Sequence, residues 1–283
     1  MTRSRQKLIT LSLAIAAAVA AFSSNAQSPA PSIGIVIMHG KGGSPRWHVS
    51  DLASALERKG YLVTNREMTW SGRREFDVNV GAAAKEVESA LDTLRGQGAQ
   101  KLFVAGHSHG GLFALYFGGK QPVDGVIAIA PGGDASNPIF LEKLGEDVDR
   151  ARKLVAAGKG DERARFSDYE NAKGTYGIVT TASAYLSWFD PEGAMHQKTI
   201  VEGMNPQVPV LYIVPTADYL GLRKLKDYFF SLLPRNPLSK LYEPESNHVN
   251  AASASRDEIL RWTAEVAGRI DPASRTTPAG GRP

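Results

Sequence analysis

The strongest limit on what this chain can fold into is a set of short, nearly unbroken apolar runs, each followed by a helical pattern. Ile33–Met38 is the first, and residues 101–106, 123–130 and 208–214 repeat its character. Runs this short and this apolar fit strands covered on both faces, which is the signature of a parallel sheet. Residues 61–63 and 240–243 are two weaker strand candidates. Between the strands, Leu52, Ala55, Leu56 and Lys59 lie on a helical pattern that stops at Gly60. Val80, Ala83, Ala84, Val87, Leu91 and Leu94 form a second, closed by Gly96 and Gly98. Residues 110–117 and 219–233 and the set Ile259, Trp262, Val266 and Ile270 supply three more. Strands alternating with helices predict an α/β fold with a mostly parallel, doubly wound sheet of about six strands.

One interval breaks the rhythm. Residues 131–207 are far more than a single crossover helix needs. They hold a polar stretch at 158–162 and many aromatics, including Phe166, Tyr169, Tyr176, Tyr185, Trp188 and Phe189. We read an inserted cap, about residues 134–205, over the carboxyl edge of the sheet. The expected layout is one domain over residues 27–270, with a Pro-, Gly-, Ser- and Thr-rich tail at 271–283 expected to be disordered.

Residues 1–26 read as a secretory signal peptide. Arg3, Arg5 and Lys7 precede an apolar run at 8–22, and Ser24, Asn25 and Ala26 offer a cleavage site. A spanning helix needs about 20 apolar residues, so this run is short of an anchor. A periplasmic or secreted location is the expectation, with no stable membrane span after cleavage. Without the three basic residues, the net charge of +4 falls to +1, which gives no support to a nucleic-acid surface. Arg223, Lys224 and Lys226 read as a solvated helix face. The chain has no Cys, which excludes disulfides, thiolate metal sites and a cysteine nucleophile.

The chemistry-bearing signal is Gly106-His107-Ser108-His109-Gly110-Gly111, between a predicted strand and a predicted helix. In that context G-x-S-x-G forms a nucleophile elbow, where side chains at the glycine positions would collide with the adjoining strand and helix. A serine hydroxyl needs a base to take its proton. Of the six His, His107 and His109 diverge from Ser108 on the bend, His39 shapes the loop after the first strand, and His48 and His196 read as surface or cap residues. His248 follows the last strand at the same sheet edge as Ser108 and is the expected base. Asp218, in the loop after residues 208–214, is the expected acid that orients it, with Asp134 the alternative.

The loop His39-Gly40-Lys41-Gly42-Gly43-Ser44-Pro45 can turn amides toward the site. The backbone N–H groups of Lys41 and His109 are the expected oxyanion hole, with Gly42 a further candidate. The loop lacks both phosphate-binding glycine patterns. His107 and His109 have no partner at metal-ligand spacing, so no metal or other cofactor is expected. Gly42, Trp70 and Arg73 are candidate substrate contacts; for Arg73 and its neighbour Arg74, solvent exposure is the commoner explanation.

Taken together, His39-Gly40 after an early strand, the Ser108 elbow, and an acid and His in the order Ser, Asp, His resemble the α/β-hydrolase superfamily over about residues 32–270. More narrowly, the stretches His39 to Pro45, Glu67-Met68-Thr69-Trp70-Ser71 and Leu186 to Pro191 are similar to exported bacterial α/β-hydrolases of unassigned substrate. The resemblance implies a serine hydrolase acting on carboxylic esters or thioesters, with a small-molecule ester as its partner. Some members draw the acid from the strand that precedes Asp134. The antiparallel hairpin with which many members begin is not expected here. A fold that binds a cell-envelope ligand without turnover is the reading from another class. Oligomeric state stays open.

Overall fold

The computed structural model describes residues 32–269. The proposed signal segment and the tail lie outside them. In chain order the elements are β1 (Ile33–Met38), α1 (Ser50–Arg58), β2 (Leu62–Asn65), α2 (Val80–Gly96), β3 (Lys101–His107), α3 (His109–Gly118) and β4 (Gly125–Ile129). An insertion follows: α4 (Pro138–Ala156), β5 (Arg163–Glu170), β6 (Gly174–Thr181), α5 (Ala182–Phe189) and α6 (Gln197–Glu202). The sheet then resumes with β7 (Val210–Ile213), α7 (Leu220–Leu232), β8 (Lys240–Tyr242), α8 (Ala251–Ala254) and α9 (Arg256–Arg269).

The main sheet has six strands in the order β2-β1-β3-β4-β7-β8, and every pairing is parallel. Residues along each strand alternate between two apolar cores. Val36, Met38, Val104, Val126, Ala128 and Tyr212 face α2, α3 and the insertion. Ile35, Ile37, Phe103, Ala105, Ile127 and Leu211 face α1, α8 and α9. Burial on both faces is why these strands read as unbroken apolar runs rather than alternating ones. No leading antiparallel hairpin is present among the described residues.

The strand order reverses between β1 and β3. The chain leaves β1 toward β2, then crosses back to build the sheet in the other direction. Ligands of doubly wound sheets bind at such a switch point, beyond the carboxyl ends of the strands. The loop at residues 39–43 and Ser108 both lie there.

Two parts of the insertion differ from the sequence reading. Asn137 accepts a hydrogen bond from the Ile139 amide and Pro138 occupies the first turn, which together start the 19-residue α4. The stretch rich in Phe and Tyr is an antiparallel hairpin, β5 with β6, followed by α5. Most of its aromatics form the cap's own core: Tyr185 stacks between Phe166 and Phe189 at ring distances of 4.4 and 4.6 Å.

Candidate active site

Steric demands at the β3–α3 turn hold Ser108 in place. Its φ of 55° and ψ of −120° are an unfavourable backbone for a residue with a side chain. The surroundings enforce it: the Ser108 amide donates to the Ile129 carbonyl at 2.8 Å, and its own carbonyl accepts from the amides of Gly111, Leu112 and Gly132. The turn closes so tightly that a Cβ on Gly106 would sit 1.9 Å from the Gly110 oxygen, and one on Gly110 would sit 2.6 Å from that of Met38. Both glycines are therefore required by contact rather than by dihedral angle.

Asp218 and His248 arrive on parallel paths. Beyond β7 and β8 the two chains stay paired, with the Thr216 amide donating to Pro244 O at 3.0 Å and the Ala217 amide to Ser246 O at 2.9 Å. His248 Nδ1 lies 2.7 Å from Asp218 Oδ1, which also accepts the Tyr219 amide at 2.6 Å. A carboxylate only accepts, so Nδ1 carries the proton and Nε2 is left as the free acceptor. The His248 ring is flanked by Tyr219 at 4.6 Å and His107 at 4.9 Å. The His107 Nε2–H donates to the His248 carbonyl at 2.8 Å. Asp134, the alternative acid, is committed elsewhere: its Oδ1 accepts from the Ser136 amide and hydroxyl and from the Gln197 amide.

Ser108, His248 and Lys41 line one cavity of about 350 Å³. Gly43, Trp47 and His48 line it from the β1–α1 loop, Ile139 and Phe140 from α4, and Leu222, Leu225 and Phe229 from α7. The β5–β6 turn, Glu170 to Lys173, also borders it. His48 is exposed, as expected, yet it belongs to this lining and its ring is 5.8 Å from His107. The α4 and α7 residues were missed from sequence because no local motif marks them. His196 caps α6. No group of three or more potential metal ligands occurs among the described residues, and none of their helices is long and apolar enough to cross a membrane.

The proposed oxyanion loop is fixed by His39. Its Nε2 accepts from the Met68 amide at 3.0 Å, so its Nδ1–H donates to the Gly40 carbonyl at 2.8 Å. Gly42 does not serve as the further donor, because its amide is spent on the Trp70 carbonyl at 2.8 Å, and it is absent from the cavity lining. Two other candidate contacts also fall outside that lining. Trp70 is 1% exposed and turned inward, its indole N–H donating to the His39 carbonyl at 2.7 Å. Arg73 is exposed and paired with Glu67. Its neighbour Arg74 pairs with Asp77 and Glu86.

Burial makes three of the other imidazoles poor bases. It pushes His107 down to about 3, with further lowering from the nearby His248, and it holds His109 well below the ordinary histidine range. Burial lowers His39 too. Such depressed values have a consequence for stability. Above pH 6.5 these groups are neutral in both the folded and unfolded states. Below it the unfolded chain takes up protons that the folded one refuses. Stability is therefore expected to fall as pH drops below about 6.5, and His107 alone contributes up to about 1.4 kcal/mol per pH unit down to about 3. Urea unfolding at pH 7, 5.5 and 4.5 measures this, and His107→Gln should flatten the slope. Equal slopes for the two proteins would show that His107 does not titrate in this way.

A sequence-family model described as the alpha/beta hydrolase family matches residues 35–277. The chain belongs to the alpha/beta hydrolase family. No curated protein matches it in sequence. Among solved structures, it is similar to the monoacylglycerol lipase of Paleococcus ferrophilus, with 21% identity, a TM-score of 0.58, and coverage of 82% of this chain and 94% of that one. Est1E from Butyrivibrio proteoclasticus, solved with ferulic acid bound, gives 15% identity, a TM-score of 0.58 and coverage of 86% and 92%. The alpha/beta hydrolase GrgF from Penicillium sp. sh18 gives 13%, 0.63, 85% and 91%. Identities this low establish a shared fold alone. The family itself supports hydrolase activity for this alpha/beta hydrolase.

Proposed function

We propose that the protein is a serine hydrolase of uncharged carboxylic esters. The observation that carries this reading is the Asp218–His248 hydrogen bond at 2.7 Å, in a residue pair that shares a cavity with the strained Ser108. In the proposed reaction the Ser108 hydroxyl attacks the ester carbonyl while His248 Nε2 takes its proton. The carbonyl oxygen becomes an oxyanion bound by the amides of Lys41 and His109. The intermediate collapses, the C–O bond breaks, and His248 protonates the departing alcohol. Water then gives its proton to His248 and attacks the acyl-enzyme, which releases the acid and restores Ser108. Asp218 holds the His248 tautomer and stabilises the imidazolium. The neutrality of His107 matters to this step, since a second cation 4.9 Å away would oppose imidazolium formation.

Two features support a neutral substrate of modest size. The two lysines at the cavity are already paired within the protein, Lys41 with Asp168 and Lys173 with Glu170, and the Asp134 carboxylate is held by Ser136 and the Gln197 amide. An anionic substituent would therefore meet no unpaired lysine. The volume is at the small end of the range of about 300–1,000 Å³ for ligand pockets, and the α4–α7 wall is apolar. The test is hydrolysis of p-nitrophenyl esters from acetyl to palmitoyl, with Ser108→Ala alongside. Leu222, next to Gly132 and so close to Ser108, is expected to limit acyl length. In Leu222→Trp the optimum should move to shorter acyl chains, with the rate on the acetyl ester retained within about threefold. An unchanged optimum would mean that the acyl group does not lie along α7.

A further inference from the structure

Lys41 carries two functions on one residue. Its backbone N–H is the proposed oxyanion donor, while its side chain runs away from the loop into the cap. The ammonium donates to Asp168 Oδ1 at 2.6 Å and to the Tyr169 carbonyl at 2.8 Å. It lies 4.9 Å from the Phe140 ring of α4 and 5.8 Å from the Phe189 ring of α5. Both charged side chains are buried, 8% exposed for Lys41 and 0% for Asp168. Asp168 is itself held from the hairpin side, by the Tyr169 amide at 2.7 Å and the Tyr176 hydroxyl at 2.8 Å. The pair joins residues 127 positions apart.

A buried ion pair is weak evidence of net stability, because removing two charges from water offsets most of their attraction. Positioning is the better account of this one. The Gly40–Lys41 peptide is planar, so its C=O and N–H point in opposite directions. The Gly40 carbonyl is fixed by the His39 ring at 2.8 Å, which sets one end of that unit, and the anchored Lys41 side chain restrains the other. The hairpin turn also presses on the next residue. At Gly42, whose φ is +65°, a Cβ would lie 2.8 Å from Lys173 Nζ and 2.9 Å from Glu170 Oε1.

We infer that Lys41 is a positioning residue whose ion pair with Asp168 ties the seating of the cap hairpin to the direction of the oxyanion-binding amide. This rests on the serine-hydrolase reading of the same site. It makes the cap part of the catalytic machinery as well as a wall of the pocket.

The experiment compares the wild-type protein, Ser108→Ala and the double variant Lys41→Met/Asp168→Leu. The double variant removes both charges while keeping their bulk and the Lys41 amide, and Tyr176 keeps Glu170 as an acceptor at 2.7 Å. Removing both partners avoids leaving one charge buried alone. Thermal unfolding, kcat, KM and the Ki of an alkyl trifluoromethyl ketone, whose serine adduct carries an oxyanion, are measured for each.

The expected result is a folded double variant with kcat lowered about 100-fold, as for a misplaced catalytic group. KM should stay within about twofold, and Ki should rise in proportion to the loss in kcat. A purely structural pair would lower the melting temperature and spare both kcat and Ki; that result, or a loss confined to KM, overturns the inference. If the double variant does not fold, Asp168→Asn replaces it, since it keeps the volume and one acceptor for Lys41. It should show the same split at about tenfold, and wild-type kcat in this variant also overturns the inference. Absence of any Ser108-dependent turnover in the wild-type protein refutes the hydrolase reading itself, an outcome distinct from the others.

Discussion

Replacing Ser108 with alanine is expected to lower kcat for p-nitrophenyl ester hydrolysis by about 10⁴- to 10⁶-fold and to leave the unfolding transition where it was. The activity loss follows from removal of the only protein atom that bonds to the acyl group in the proposed reaction. The unchanged stability follows from the backbone: alanine has the same Cβ as serine, so it meets the same strain at φ 55°. Labelling by a fluorophosphonate should be stoichiometric in the wild-type protein and absent from the variant. His248→Ala should cost a comparable factor, and the double variant little more, because nucleophile and base act as a unit. Asp218→Asn should cost about 10⁴-fold by allowing the wrong tautomer of His248. Asp134→Asn should leave kcat within about threefold, since that carboxylate caps Ser136 and Gln197 and does not touch His248. Wild-type turnover in Ser108→Ala would remove the elbow from the chemistry. A folded wild-type protein with neither label nor turnover would instead be a binding fold.

The sequence made some of this legible because the relevant demands are local. The glycines around Ser108 are dictated by atoms within a few residues of the turn, so the pattern appears as a motif. Asp218 and His248 were accessible because each follows a strand, and the ends of parallel strands share one edge. The cap was a different case. Helix α4 did carry local signals, Asn137 and Pro138 at its start and Leu144, Val148 and Ala151 buried along one stripe. Its hairpin had none that could be read alone. Asp168 occupies an inward position of β5, and a buried carboxylate in a strand is intelligible only once Lys41, 127 residues earlier, is seen to meet it. Trp70 and Arg73 mislead for the same reason. Their place after β2 puts them near the functional edge, but the His39 carbonyl and Glu67 draw them away from the cavity. Leu222 and Phe140 carry no chemical signature at all, and only the packing of α4 and α7 around the cavity gives them a role.

Gly106→Ala is expected to be among the most destabilising single-methyl additions in the protein, by more than about 4 kcal/mol. The added Cβ would lie 1.9 Å from the Gly110 oxygen, 2.2 Å from the Gly110 carbonyl carbon and 2.7 Å from the Gly111 nitrogen. All three are backbone atoms, so no flexible side chain can move aside. The helix start cannot retreat as a body either. Gly110 is already packed on the carbonyls of Met38 and His39, and Gly111 on those of Gly106 and Ile129, while Leu112, Phe113 and Leu115 are fully buried beyond them. Thermal unfolding should therefore show a drop of about 10 °C or more. Gly145→Ala in α4 is the control: its Cβ meets nothing within 4 Å, so the change should be neutral or should stabilise by up to about 1 kcal/mol. A Gly106→Ala protein within about 1 kcal/mol of wild type would mean that the turn is softer than this packing allows. At a temperature low enough to keep the variant folded, its kcat should still be far below wild type. The only way to admit the methyl group is to open the β3–α3 turn, and opening it moves Ser108 away from the carbonyl it must attack.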